Sequence, residues 1–213
     1  MKKLILTSIF CLTAVCLTQA QEMKSVFIQM PDSLSRILTK INREDCVDFL
    51  ASNMKAEVTN RFNMPSELKT LTADYLLLQE TPQCTVEMKL LPVNDSTRVV
   101  CAIRTLGSSV TDSSVAFFTT DWQPLPTGDF FHYPTADEFY LHTDSLAADT
   151  LATLRKEADI TFLRLALSPD DLTLSVTYTT PAYLTRETAD KLKVYLRKAP
   201  VRFRWSEGKF VRE

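Results

Sequence analysis

From about residue 75 onward the chain is written in steps of two, and this period constrains the fold more than any other feature. Val86, Met88 and Leu90 alternate with Thr85, Glu87 and Lys89. Val99, Cys101 and Ile103 mark one face of a run from 97 to 106. Leu172, Leu174, Val176 and Tyr178 alternate with Thr173, Ser175, Thr177 and Thr179. Successive side chains of a strand point to opposite faces, so such runs predict strands with one buried and one wet face. Turn formers separate them: Pro92-Val93-Asn94-Asp95-Ser96, the Ser-rich stretch from Gly107 to Ser113, and Ser168-Pro169-Asp170-Asp171. Connections this short join antiparallel neighbours.

Further strands are expected at 74–80, from Val115 to Thr120, at 160–167, and from Val201 to Trp205, returning through Ser206-Glu207-Gly208 to Phe210-Val211. Residues 55–72 predict a short strand near Val58 and then loop. After Pro31-Asp32-Ser33, the spacing of Leu34, Ile37, Leu38 and Ile41 predicts a helix. Asn42 is placed to cap a second helix, whose apolar side is Val47, Phe49 and Leu50. Ala147, Leu151 and Leu154 share a helical face. Thr185 opens a helix over about 186–198, lined by Ala189, Leu192 and Leu196 and ended by Pro200. The expected fold is α+β: antiparallel β-meanders, with an N-terminal helical pair and a late helix packed on the sheet. Residues 84–125 and 160–211 repeat one order of strands, turns and insertion. This suggests two copies of a three-stranded meander, against the plain alternative that meanders resemble one another.

The first twenty residues decide which part of the chain folds. Lys2 and Lys3 precede an uncharged apolar stretch from Leu4 to Leu17, and Thr18-Gln19-Ala20 puts small residues at −3 and −1. That is the pattern of a secretory signal peptide, with the mature chain beginning at Gln21. The apolar run is short for a membrane span. Cys11 follows Phe10 and Cys16 follows Val15, so neither has the small residue that lipidation requires before it. The 213 residues less this leader leave 193 for a single domain at 21–213, or for two lobes at about 21–128 and 129–213.

Export changes the meaning of the inventory. Five cysteines become Cys46, Cys84 and Cys101, too few and too irregular for a disulfide scaffold, and an odd number leaves at least one thiol free. Their plain reading is as small buried hydrophobes. Loss of Lys2 and Lys3 takes the net charge from −2 to −4, so the chain lacks the positive excess that nucleic acid demands. Only Gly107, Gly128 and Gly208 are glycines, which excludes phosphate-cradling glycine loops.

Little in the sequence carries chemistry. His132, Asp137, Glu138 and His142 are close together, but their spacing fits no zinc pattern and Pro134 interrupts them. No metal or cofactor is expected. Cys46 has no local histidine for a nucleophilic pair, and no Gly-x-Ser-x-Gly elbow occurs. Asp170-Asp171 and Asp137-Glu138 are sequence neighbours, whereas a glycosidase needs carboxyls facing across a cleft. Charge is distributed unevenly. Residues 186–213 hold nine Lys/Arg against four Asp/Glu, and residues 129–171 hold nine acidic against three basic residues. The two segments either neutralise each other or leave a basic face, for which Arg202, Arg204 and Lys209 are the candidates.

Several segments together resemble a family of exported Bacteroidales proteins, the domain-of-unknown-function family numbered 3256. They are Phe27-Ile28-Gln29-Met30-Pro31-Asp32-Ser33-Leu34, Asp48-Phe49-Leu50 leading to Asn53-Met54-Lys55-Ala56-Glu57-Val58, and Leu71-Thr72-Ala73-Asp74-Tyr75-Leu76. Phe117-Phe118-Thr119-Thr120-Asp121-Trp122 and Phe203-Arg204-Trp205-Ser206-Glu207-Gly208-Lys209-Phe210 complete the set. The resemblance covers essentially the whole mature chain. It implies a periplasmic or outer-membrane-associated location in a Gram-negative cell, and it carries no active site over. The function expected from these readings is non-enzymatic binding of a protein or envelope component. The alternative is a hydrolase whose carboxylates and His132 converge only in three dimensions.

Overall fold

The computed structural model describes residues 22–141 and 145–213. The expected leader and its expected cleavage site, and also His142, lie outside them. Among the described residues the order is α1 (Glu22–Gln29), α2 (Lys40–Ala51), β1 (Glu57–Thr59), β2 (Pro65–Leu71), β3 (Tyr75–Thr81), β4 (Cys84–Pro92), β5 (Arg98–Leu106), β6 (Asp112–Thr119) and β7 (Pro124–Leu125). Then come α3 (Ser145–Glu157), β8 (Leu163–Leu167), β9 (Thr173–Tyr178), α4 (Arg186–Lys193), β10 (Val201–Ser206) and β11 (Lys209–Arg212). Strands β1 to β7 pair in sequence as one antiparallel sheet, and β8 to β11 pair in sequence as a second. The fold is α+β and built from meanders, as the alternation predicts.

The larger sheet is the middle layer. On one face Leu76, Leu78, Val86, Met88, Leu90 and Val100 pack against Met23, Val26 and Phe27 of α1 and Cys46 and Val47 of α2. On the other, Val99, Cys101, Ile103, Val115 and Phe117 meet Leu165, Leu167, Leu174, Val176, Phe203 and Trp205 of the smaller sheet. Each large apolar side chain so buried contributes about 1.5–3 kcal/mol. Leu151 of α3 and Leu192 of α4 form a smaller cluster with Tyr140, against which Tyr178 of β9 packs.

Burial on both faces corrects the expectation of a half-wet β4. Glu87 and Lys89 occupy its polar register yet are buried beneath the smaller sheet. Lys89 is 2% exposed; it donates to the Pro169 carbonyl at 3.0 Å and pairs with Asp74 at 3.0 Å. The Glu87 carboxylate accepts from the Leu167 N–H at 2.8 Å and from the Tyr75 hydroxyl at 3.4 Å. Burial holds this carboxyl above its ordinary pKa. Strand β8 is an edge, and its outward N–H groups are all answered by side chains of the larger sheet: Leu163 by Asp112 at 3.0 Å, Leu165 by Ser113 at 3.0 Å, and Leu167 by Glu87. A sheet edge that would otherwise invite another chain is stitched to its own molecule.

The N-terminal pair is present but shifted. Residues 31–38 form turns rather than a helix, and the first helix lies earlier, at α1. The loop is held by Arg43, 1% exposed, which donates to the carbonyls of Ile28, Met30 and Leu38 and to Asp32. That side chain supplies the partners a helix would have supplied, so the apparent period of Leu34, Ile37, Leu38 and Ile41 misleads; Ile41 is 67% exposed. Thr39, not Asn42, caps α2, and Asn42 completes the capping box from the third helical position. Strand β2 occupies the stretch expected to be loop. Pro65 opens it, where no ladder N–H is needed. The late helix ends at Lys193, short of 198, because Leu196 bridges to Tyr140 instead.

Both stretches suspected of duplication are sequential meanders, but their hairpins differ in extent. The β4–β5 ladder runs from Cys84↔Leu106 to Pro92↔Arg98, and β8–β9 only from Leu163↔Tyr178 to Leu167↔Leu174. Cys101 lies opposite Lys89, and Cys46, Cys84 and Cys101 are all free and buried. At Gly107, φ is +104° and an added Cβ would meet the Val110 carbonyl oxygen at 1.8 Å, so the β5–β6 turn admits glycine alone.

Candidate functional site

The residues singled out by charge fall on one surface. Strand β10 alternates Val201, Phe203 and Trp205 inward with Arg202, Arg204 and Ser206 outward. Residues directly opposite in a ladder share a face. Ser206 opposes Lys209, and Arg202 opposes Ser175 of β9, whose neighbour Thr177 opposes Arg164. Arg202, Arg204, Lys209 and Arg164 therefore share the solvent face of the smaller sheet, separated by short hydroxyl side chains. Arg204 is committed to Glu213 at 2.7 Å. Among the described residues Arg202 and Lys209 form no ion pair, nor do Arg197 and Lys198, which line a shallow groove with Arg202, Arg212 and Glu213.

The acidic segment neutralises this region only in part. Asp137 is taken by Arg155 of α3, and Glu138 by Arg212. Asp171 is held below the usual carboxylate range, mainly by hydrogen bonds from Thr173 and Ser168, with Arg204 adding a smaller pull.

The other candidates are dispersed. His132 is exposed in the loop before Pro134, while Asp137 and Glu138 are engaged in the ion pairs just described. Among the described residues no three His, Cys, Asp or Glu side chains converge as metal ligands would. Asp170 and Asp171 sit in the β8–β9 turn, which Ser168 Oγ organises by accepting from both N–H groups. Burial pushes the Cys46 thiol up to about 11 and also raises Cys84 and Cys101, leaving all three protonated and inert at neutral pH.

A second site was not anticipated from the sequence. On the helix-facing side of the larger sheet, a cleft of about 160 Å³ lies between β4–β6 and the chain leaving α1. It arises from one rung of the sheet. Met88, Ala102 and Ala116 stand side by side, whereas the adjacent rung is Leu90, Val100 and Phe118. Two alanines leave room that their larger neighbours would fill. Met30 and Leu34 form the opposite wall, and Trp122 closes one end.

Trp122 has φ +64°, a left-handed conformation that costs a bulky residue about 1–3 kcal/mol. Its indole N–H donates to the Val26 carbonyl at 2.9 Å, tying α1 to the sheet. At the other end Arg104 is gripped by buried Glu80, with one hydrogen bond at 3.2 Å, and donates to Cys84 Sγ at 3.4 Å. The signal for this cleft is a pair of alanines on adjacent strands, which has meaning only once the register is known.

Comparison with known proteins agrees with the resemblance read from the segments. A solved structure of a domain of an uncharacterized protein from Porphyromonas gingivalis W83 is similar, with 28% identity and a TM-score of 0.77 over 90% of this chain and 99% of that one. No curated protein matches the sequence. The model of the family described as protein of unknown function (DUF3256) matches residues 15–210, nearly the full length, and the chain therefore belongs to that family.

Proposed function

We propose that this chain is exported to the envelope of a Gram-negative cell and acts there as a non-enzymatic binding module. It engages an anionic protein or envelope component through the solvent face of its smaller sheet. The observation that carries this reading is the set of cations on and beside β10. Arg202, Lys209, Arg197 and Lys198 form no ion pair among the described residues, and the outward side chains of β9 beside them are short hydroxyls. Such a surface offers charge at little steric cost to a broad, acidic partner.

Export is supported by where the expected cut falls. Met23 and Phe27, seated in the core, both lie past the expected cut after Ala20 and would stay with the mature chain. Among the described residues no helix is long and apolar enough to cross a membrane.

The test compares the mature chain with the triple variant Arg202→Glu, Arg204→Glu, Lys209→Glu on immobilised polyglutamate and on vesicles containing anionic phospholipid. Retention of the native chain that weakens with salt, and its loss in a folded triple variant, is the expected result. Equal retention of the two proteins, or none by the native chain, overturns the reading. Intact mass of the exported protein should correspond to a start at Gln21; retention of residues 1–20 would contradict export by this route.

A further inference from the structure

The unanticipated cleft lies on the far side of the larger sheet from the basic face, so a ligand there is independent of the partner considered above. We propose that it binds a single-chain anionic amphiphile of the fatty-acid type, tail inside and carboxylate at the mouth.

The interior suits a hydrocarbon and little else. Its volume of about 160 Å³ is close to that of an engineered apolar cavity of about 150 Å³ that admits benzene. There is room for a ring or for about six carbons of a chain. Val86, Met88, Ala116 and Phe118 present carbon to this space, and the one indole N–H at its end is already spent on Val26. A polar guest would find few partners there.

The cleft is also reachable. It adjoins an outer groove through two shared residues, Leu34 and Arg104, and that groove continues along Ser33, Arg36, Ile37 and Phe62. Ala102, Ala116 and Phe118 are only half-buried and Ser114 is exposed, because two-residue β7 pairs with Phe117 and Phe118 and leaves the rest of the β6 edge uncovered. Phe62 is itself mostly exposed, an apolar side chain placed where the remainder of a tail would emerge.

Charge at the mouth selects the head group. Arg104 is held in place by Glu80, which is buried behind it, so that pair is neutral. Arg36, exposed on the groove wall, forms no ion pair among the described residues. The acid nearest in sequence, Asp32, is shared between Arg43 and Arg61. Arg104 and Arg36 are thus the charged side chains that line this opening, and Glu80 neutralises only the first. A carboxylate head would find a net positive field, with Arg36 free to donate two hydrogen bonds.

Calorimetric titration of the mature chain with decanoate and with decyltrimethylammonium tests this, with quenching of Trp122 by a bromine-labelled decanoate as the local readout. Saturable one-to-one binding of decanoate is expected, with the cationic analogue weaker by about tenfold. Ala116→Leu should abolish binding by filling the cleft. Arg36→Glu, at an exposed position that leaves the fold intact, should weaken decanoate by about tenfold without affecting decanol. Absence of saturation with decanoate, equal affinity for both head groups, or full binding by a folded Ala116→Leu overturns the proposal. If Ala116→Leu does not fold, Arg36→Glu decides alone, and unchanged decanoate affinity in it is fatal. A native chain that dimerises and in that state excludes decanoate would identify the cleft as an interface between copies, and would likewise end it.

Discussion

The two faces of the seven-stranded sheet are made by the same strands but finished differently. Toward the smaller sheet, large side chains interlock. Trp205 stacks on Phe130 at 6.1 Å and meets the edge of Phe210 at 5.0 Å, and its indole N–H donates to the Pro92 carbonyl at 2.6 Å. Polar atoms on that side are paired across the sheets by Glu87, Lys89 and Ser113. Toward the helices, two alanines share a rung, a tryptophan is strained, and a cleft stays open. One face therefore fixes the structure, while the other has room to hold something. Close packing is the default for protein interiors, so the departure on the helix side is the informative one.

The largest expected effect falls on the closed face. Trp205→Ala should cost about 3–5 kcal/mol, because it empties the centre of an aromatic cluster that cannot collapse. Phe118→Ala, at a half-buried cleft position, should cost clearly less, about 1–2 kcal/mol. Urea melts of the two variants compare them directly. Equal losses would break the contrast between the faces.

Glu87 sharpens the contrast through pH. Its folded pKa is raised by burial, so the native state holds its proton more tightly than the unfolded chain does. Stability from this group is therefore full below the unfolded value and declines as pH rises through the raised folded value. Glu87→Gln keeps an oxygen that can accept from both the Leu167 N–H and the Tyr75 hydroxyl, without the charge. The variant should gain on the native protein as pH climbs through that window, by on the order of 1 kcal/mol, and lose the advantage in acid. Melts across the acid range check the direction; a difference that widens toward low pH would contradict it.

The smallest effect is expected on the solvent face. Reversing Arg202, Arg204 and Lys209 together should change stability by no more than about 1 kcal/mol, since the one ion pair they form among the described residues, Arg204–Glu213, is largely exposed. A thermal melt of the triple variant checks it, and unfolding would mean that these charges hold the fold.

How much of this was legible in the sequence follows from the range of the causes. Alternation located the strands from Tyr75 onward and placed Val99, Cys101 and Ile103 on one face, because period two is a local property. Burial of Glu87 and Lys89 was not legible, since a second sheet eighty residues further along covers them. The helical period read into residues 34–41 failed for a nearer reason: the guanidinium of Arg43, just beyond that run, satisfies the carbonyls of a loop. Arg202, Arg204 and Lys209 could be placed together because their hairpin is short and Glu207 and Gly208 take the positive φ values its tight turn needs. The cleft is not legible in the sequence, because Ala102 and Ala116 are ordinary alanines until strand pairing sets them side by side.

Adjacent residues on β5 allow both faces to be tested with one substitution. Cys101 is fully buried toward the smaller sheet, and Ala102 lines the cleft. Leucine at each position adds carbon on opposite sides of the same strand. Comparing the urea unfolding of Cys101→Leu and Ala102→Leu, the account predicts a loss of about 1–3 kcal/mol for the first through overpacking, and no loss or a gain of up to about 1 kcal/mol for the second. Equal destabilisation by the two, or a larger loss at Ala102, would show that the helix-side face is as full as the other and that there is no open cleft to bind anything.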